Sequence, residues 1–127
     1  MQITKGLVID TPAVDKILSG AKTWEMRSAA VKYRGPIALI RKGSGTVVGT
    51  VEITDSVGPL TREQLLANTD RHQGSVTRIE SGEFDKWRHA WVLRNAKPLT
   101  RPVPYVHPSG AVIWVNLEPS VSRQLAG

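Results

Sequence analysis

The apolar positions predict a series of strands, broken early and again in mid-chain by short helices. Ile3 to Ile9 reads as a buried strand. Val14, Ile17 and Leu18 then fall at i, i+3 and i+4, the spacing that places three side chains on one helix face. Thr11 as cap and Pro12 in the first turn start that helix, and Gly20 supplies a left-handed stop. Pro36 to Lys42 and Thr46 to Asp55 predict two strands joined by the turn Gly43-Ser44-Gly45, a hairpin whose second strand is interrupted by Gly49. A glycine there marks a bulge or a close backbone approach, and a bulge helps a sheet curl towards a barrel. His89 to Leu93 and Ala111 to Leu117 are apolar strands. Leu99 to Val106 is a weaker one, because Pro102 and Pro104 cannot donate to a ladder.

Between the strands, Thr61-Arg62-Glu63-Gln64 fits a capping box that opens a short helix through Leu65 and Leu66. Asn68 to Asp85 lacks apolar periodicity and contains Gly74 and Gly82, which predicts a long loop with helical pieces. About seven strands and two or three short helices in this order imply an α+β domain built on a mostly antiparallel, strongly curved sheet. With 127 residues and no repeat or linker-like run, residues 1–127 are expected to form a single domain.

Composition and charge change this picture in two ways. Seventeen Lys and Arg against eleven Asp and Glu leave a net charge of +6 and a pI near 10.1, so polyanions, phosphate backbones among them, are the natural partners. The bland alternative is a soluble basic surface. There is no cysteine, which excludes disulfides and thiolate chemistry. His72, His89 and His107 are too far apart to form a ligand pattern, so no metal or cofactor is expected. No GxGxxG, P-loop, G-x-S-x-G or EF-hand pattern occurs. MQITKGLVID has no secretory apolar core, and no stretch is long enough to span a membrane, so a cytoplasmic protein with no membrane partner is expected.

The densest polar constellation is Gly20 to Arg27. Strand alternation puts Thr23, Glu25 and Arg27 on one face and Lys22, Trp24 and Met26 on the other. Glu25 can then orient the Arg27 guanidinium towards a phosphate or a base edge. An ordinary exposed strand has the same composition, and surface ion pairs carry little information. Lys22 is a candidate base or nucleophile if Arg27 and Arg34 lower its proton affinity, although most lysines keep their charge in water. Lys32, Arg34, Arg41 and Lys42, with Lys22 and Arg27, are candidates for one basic stripe across the sheet. Of the four tryptophans, Trp91 and Trp114 sit in apolar strands and read as core. Trp24 and Trp87 are better placed to stack on a base. His107 lies in a turn beside Tyr105 and Ser109, where it reads as a turn residue or the lining of a base pocket.

The order of these signals resembles the ASCH family. A helix ending Ile17-Leu18-Ser19-Gly20 leads into G-x-K-x-x-E-x-R at Gly20, Lys22, Glu25 and Arg27. Arg34-Gly35-Pro36, Val48-Gly49-Thr50-Val51 with Asp55, and Gly110 to Trp114 follow. The resemblance covers nearly the whole chain. It implies a PUA-like β-barrel with a cleft beside the motif and an RNA or nucleoside ligand held by Lys22, Trp24, Glu25, Arg27 and Arg34. It also implies an alternative. Members similar to the N4-acetylcytidine amidohydrolases are hydrolases, and ribonuclease activity is attributed to the family, which would make Lys22 and Glu25 catalytic. The amidohydrolases use a motif lysine, a threonine two residues before the motif arginine, and a mid-chain glutamate. Lys22 matches the first, Glu25 occupies the threonine's place, and Glu63, Glu80 and Glu83 all stand as candidates for the third.

Overall fold

The computed structural model describes residues 2–126. Its strands are β1 (Lys5–Ile9), β2 (Trp24–Arg27), β3 (Gly35–Arg41), β4 (Thr46–Val57), β5 (His89–Pro104) and β6 (Trp114–Asn116). The helices are α1 (Thr11–Leu18), α2 (Arg62–Leu66), α3 (Thr69–His72), α4 (Val76–Glu80) and α5 (Pro119–Ala126), with a 3₁₀ turn at Glu83–Lys86. The six strands form one sheet in the order β2-β5-β4-β3-β1-β6. Only the β1–β3 pairing is parallel. The result is a curled, mixed half-barrel with short helices on its flanks.

The predicted α+β class and curved sheet hold, while the element count differs. Leu99 to Val106 is not a separate strand: the chain from His89 to Pro104 runs as one long β5. Past Leu93, β5 pairs only with β4, so its prolines fall on an unpaired edge where a missing N–H breaks no ladder. Among the described residues, five α-helices replace the expected two or three. Three of the five (α2, α3 and α4) are single turns of four or five residues, too short to show a periodicity. Helix α1 is capped by Asp10, one residue before the expected Thr11, because the Asp10 carbonyl already accepts from Val14 N. Both arms of the Thr61–Gln64 capping box are present.

The core sits inside the curl. Val14 and Ile17 of α1 pack on Leu7, Ile9, Ile37, Leu39, Val51, Ile53, Trp91 and Leu93. Each fully buried aliphatic side chain of this kind contributes roughly 1.5–3 kcal/mol. A second cluster, with Leu60, Leu65, Ile79 and Phe84 against Met26 and Ala90, fixes the α2–α4 region to the β2 end of the sheet.

Curvature comes from irregular pairing. The β3–β4 register shifts between Leu39 and Ile40, and β4–β5 shifts at three places, one of them between Val47 and Gly49. Gly49 is also a site of close approach. A Cβ there would lie 2.3 Å from Leu18 Cδ2 and 2.8 Å from the Lys97 carbonyl oxygen. The leucine tip can move, whereas the backbone oxygen cannot without disturbing β5. Gly49→Ala should therefore destabilise the fold by about 1–3 kcal/mol. A urea midpoint equal to that of the wild type would show that the β4–β5 backbone at Lys97 gives way easily.

Candidate functional site

The sheet's hydrogen-bonded order ends at β2 on one side and β6 on the other. Between those ends lies a seam that strand pairing does not close. The β1–β6 ladder runs out at Val8, whose N–H donates to Ile113 O at 2.9 Å. The Val8 carbonyl takes its hydrogen bond from across the seam, from Arg27 Nη2 on β2 at 3.1 Å. A side chain thus stands where a strand's N–H would have been.

Arg27 can do this because Glu25 holds it. Glu25 Oε2 accepts from Arg27 Nε at 3.0 Å and lies 2.8 Å from Nη2, and the guanidinium packs 5.6 Å from the Trp91 ring. Glu25 is 8% exposed and Lys22 is 7% exposed, so the motif is no surface strand. The predicted alternation fails at Lys22 for a simple reason: β2 begins only at Trp24, and the preceding chain turns Lys22 inward. Its ammonium donates to Trp24 O at 2.6 Å and to His72 O at 2.9 Å, and lies 3.5 Å from Glu25 Oε1. Three acceptors meet its three hydrogens. Burial pushes Lys22 below the ordinary lysine range; Glu25 opposes this, and the positive charges of Arg27 and Lys16 add to it.

His72 belongs to the same assembly and was missed in the sequence, where its spacing suggested nothing. It is 3% exposed, and its ring bridges Leu65 O (2.7 Å from Nε2) and Gly74 N (2.9 Å from Nδ1). A carbonyl only accepts and an amide N–H only donates, so Nε2 carries the proton and the imidazole is neutral. The ring lies 5.9 Å from Phe84, which stands edge-on to Trp87 at 5.7 Å. The signal was present only as a histidine inside a long non-periodic segment.

These elements wall a cleft of about 400 Å³. Its floor holds Lys22, Glu25 and Arg27. Lys16 of α1 and Lys42, Arg78 with Phe84 and Trp87, and Val112 with Ile113 also line it. Of the expected binding residues, Lys22, Glu25 and Arg27 come together. Trp24 contributes its carbonyl to Lys22 and packs in the second cluster, with Arg71 5.4 Å from its ring. Arg34 lies elsewhere, bonded to Val31 O and Tyr33 O and 3.8 Å from Asp55. The basic stripe does not assemble as one: Arg41 pairs with Asp15 at 2.8 Å, whereas Lys42 lines the cleft with only a loose, exposed contact to Asp10 at 3.7 Å. Trp91 and Trp114 stack on each other at 5.7 Å. His107 bridges Tyr105 and Ala111 in its turn, outside the cleft wall. Glu63, Glu80 and Glu83 are all exposed and absent from that wall; Glu83 pairs with Arg78. Among the described residues no cluster of His, Asp and Glu could hold a metal, and no helix is long and apolar enough to cross a membrane.

Two measurements test this arrangement. Glu25→Gln removes the charge that the buried Lys22 and the half-buried Arg27 both face, so it should cost about 3 kcal/mol, and adding Lys22→Met should recover part of the loss. A loss below about 1 kcal/mol in urea denaturation would mean that water already screens the pair. The second concerns pH. Burial lowers His72 from its ordinary value of 6.5, the Lys22 charge lowers it further, and the Leu65 hydrogen bond and Asp70 oppose the shift. The unfolded chain therefore binds this proton first. Stability is full above the unfolded value and falls as pH drops from 6.5 towards the lower folded value. Thermal melts taken from about pH 7.5 to about pH 5 should show this fall, and His72→Gln should flatten it.

Comparison with known proteins accords with this architecture. The family model for the ASCH domain matches residues 7–103. The ASCH protein of Zymomonas mobilis superposes with a TM-score of 0.71 at 17% identity, over 96% of this chain and 92% of that one. A single-substitution variant of the same protein gives 0.72 at 17% identity, over 96% and 95%. The YTH domain of the Zygosaccharomyces rouxii MRB1 protein, solved in complex with N6-methyladenosine RNA, gives 0.50 at 13% identity, over 99% and 88%. No curated protein matches the sequence. The half-barrel is of the PUA-like type, and with the family model matching most of its length, the chain belongs to the ASCH domain family.

Proposed function

We propose that this domain binds RNA, or a nucleoside unit of it, in the seam cleft. The observation that carries this reading is the composition of a single concavity: a guanidinium held rigid by Glu25 and Val8 O, an aromatic wall of Phe84 and Trp87, and further cations around them. A volume of about 400 Å³ lies within the range of small-molecule sites, roughly 300–1,000 Å³. Splayed-out bases are recognised by aromatic stacking and by fixed hydrogen-bonding groups at their edges. The RNA held by the YTH neighbour supports the reading at the level of the fold.

A hydrolase is the second reading, favoured by the lowered proton affinity of Lys22. Geometry weighs against it. A neutral amine has two N–H groups and one lone pair, yet Lys22 faces three oxygens, so the base form would aim its lone pair at an acceptor. The ammonium fits all three. Lys22 is thus a positioning residue that neutralises Glu25 and ties His72 to β2.

Single-stranded RNA should bind with an affinity that falls as salt rises. Arg27→Ala should weaken binding about tenfold while leaving the salt slope in place, since its guanidinium is already paired with Glu25. Fluorescence anisotropy across a salt series reads both, and salt-independent binding, or none, would overturn the proposal. Steady release of cytidine from N4-acetylcytidine that vanishes in Lys22→Ala would establish the hydrolase instead.

A further inference from the structure

We propose that the cleft takes a nucleotide rather than a bare nucleoside, with the phosphate against Lys16 and Lys42 and the base against Trp87. This rests on the base-binding reading above and adds to it the charge and orientation of the occupant.

The cleft's cations differ in how far they are already engaged. Lys22 and Arg27 are committed to Glu25 and to backbone carbonyls. Arg78 pairs with Glu83 and lies 5.2 Å from the Phe84 ring and 5.9 Å from the Trp87 ring, which makes it part of the aromatic wall. Lys16 and Lys42 remain. Both are exposed, and Lys16 has no carboxylate within 4 Å among the described residues. Lys42 has only Asp10, at 3.7 Å, and both side chains of that pair are more than two-thirds exposed. Such a contact is weak and yields readily to a stronger anion.

The cleft is therefore divided. The wall from α1 and the residue after β3 carries two ammonium groups; the carboxylates of the lining are Asp10 and Glu25, and Glu25 already faces Lys22 and Arg27. A second part carries Phe84, edge-on to Trp87; the Trp87 ring is half-buried, with Lys86 Nζ 4.4 Å from its centroid, an exposed side chain that a stacking base would displace. A neutral nucleoside uses only the second part. A phosphate group satisfies the first; at the aromatic wall the nearby cations are Arg78, already paired with Glu83, and Lys86, drawn over the Trp87 ring, and Val112 and Ile113 would only cost it hydration. The phosphate is that of a mononucleotide or of a strand passing through the cleft; the recognition chemistry is the same.

The test is calorimetric titration of the whole chain at low salt with the four nucleosides, their 5′-monophosphates, a short single-stranded RNA and inorganic phosphate. At least one monophosphate should bind about tenfold tighter than its nucleoside. In the double variant Lys16→Ala, Lys42→Ala, two exposed positions whose change leaves the core intact, that advantage should disappear while nucleoside affinity stays. Binding of the RNA oligomer but of no mononucleotide, with the same loss in the double variant, would assign the phosphate to a strand. Equal affinity for nucleosides and monophosphates would overturn the inference and leave the base-binding reading standing. An advantage that survives the double variant would also overturn it, as would inorganic phosphate matching the nucleotides. Failure of every nucleoside, nucleotide and RNA to bind would remove both the inference and the reading beneath it.

Discussion

A buried carboxylate is stable only when its charge is met, and Glu25 meets two cations that come from its own chain segment. One oxygen faces the Lys22 ammonium at 3.5 Å and the other faces the Arg27 guanidinium at 2.8 Å. Remove the carboxylate and two positive charges are left together in a poorly hydrated floor. With it in place, each cation has hydrogens to spare for the backbone. Lys22 directs them to β2 and to the end of α3, and Arg27 directs one across the seam to β1. Three parts of the fold that do not pair as strands are therefore joined through one side chain.

This constraint explains why the cleft survives as a cleft. An open edge on a curled sheet invites another strand, either from its own chain or from a neighbour. Here the Val8 carbonyl is satisfied by a guanidinium instead, so the seam stays open without leaving that group bare. The α2–α4 region is made of single turns with little helical stability of their own, and it is held by packing of Leu65, Ile79 and Phe84 together with the His72 bridge to Leu65 and Gly74. A mobile loop would make a poor recognition wall, because ordering it on binding would consume affinity. His72 and Lys22 fix it in advance.

What the sequence disclosed follows the range of the interactions involved. Helix α1, the β3–β4 hairpin and the Thr61 capping box rest on neighbours a few residues apart, and Gly49 was legible because a glycine inside a strand is itself a signal, although Leu18 and Lys97, which it meets, lie far off in sequence. Glu25 and Arg27, two residues apart on one strand, were legible as a pair because they too are close in sequence. Lys22 was placed on the wrong face because a period of two was extended past the strand's true start. His72 was passed over because its role comes from a carbonyl 50 residues distant from Lys22 and from a ring buried by other elements. The division of β5 into two strands came from reading prolines without knowing which edge is unpaired.

Net charge illustrates the same limit from the other direction. The +6 excess points to an anionic partner but to no place on the surface. Once the fold is known, most of the expected basic stripe is seen to be engaged: Arg41 with Asp15, Arg34 with backbone carbonyls, Arg27 with Glu25. Summed charge therefore counts groups that have little left to offer a ligand. The groups that matter are those whose hydrogens are either fixed in a useful direction or still uncommitted. Arg27 is of the first kind and Lys16 of the second. Their presence on the same cleft as Phe84 and Trp87 says more about the occupant than the pI of the whole chain.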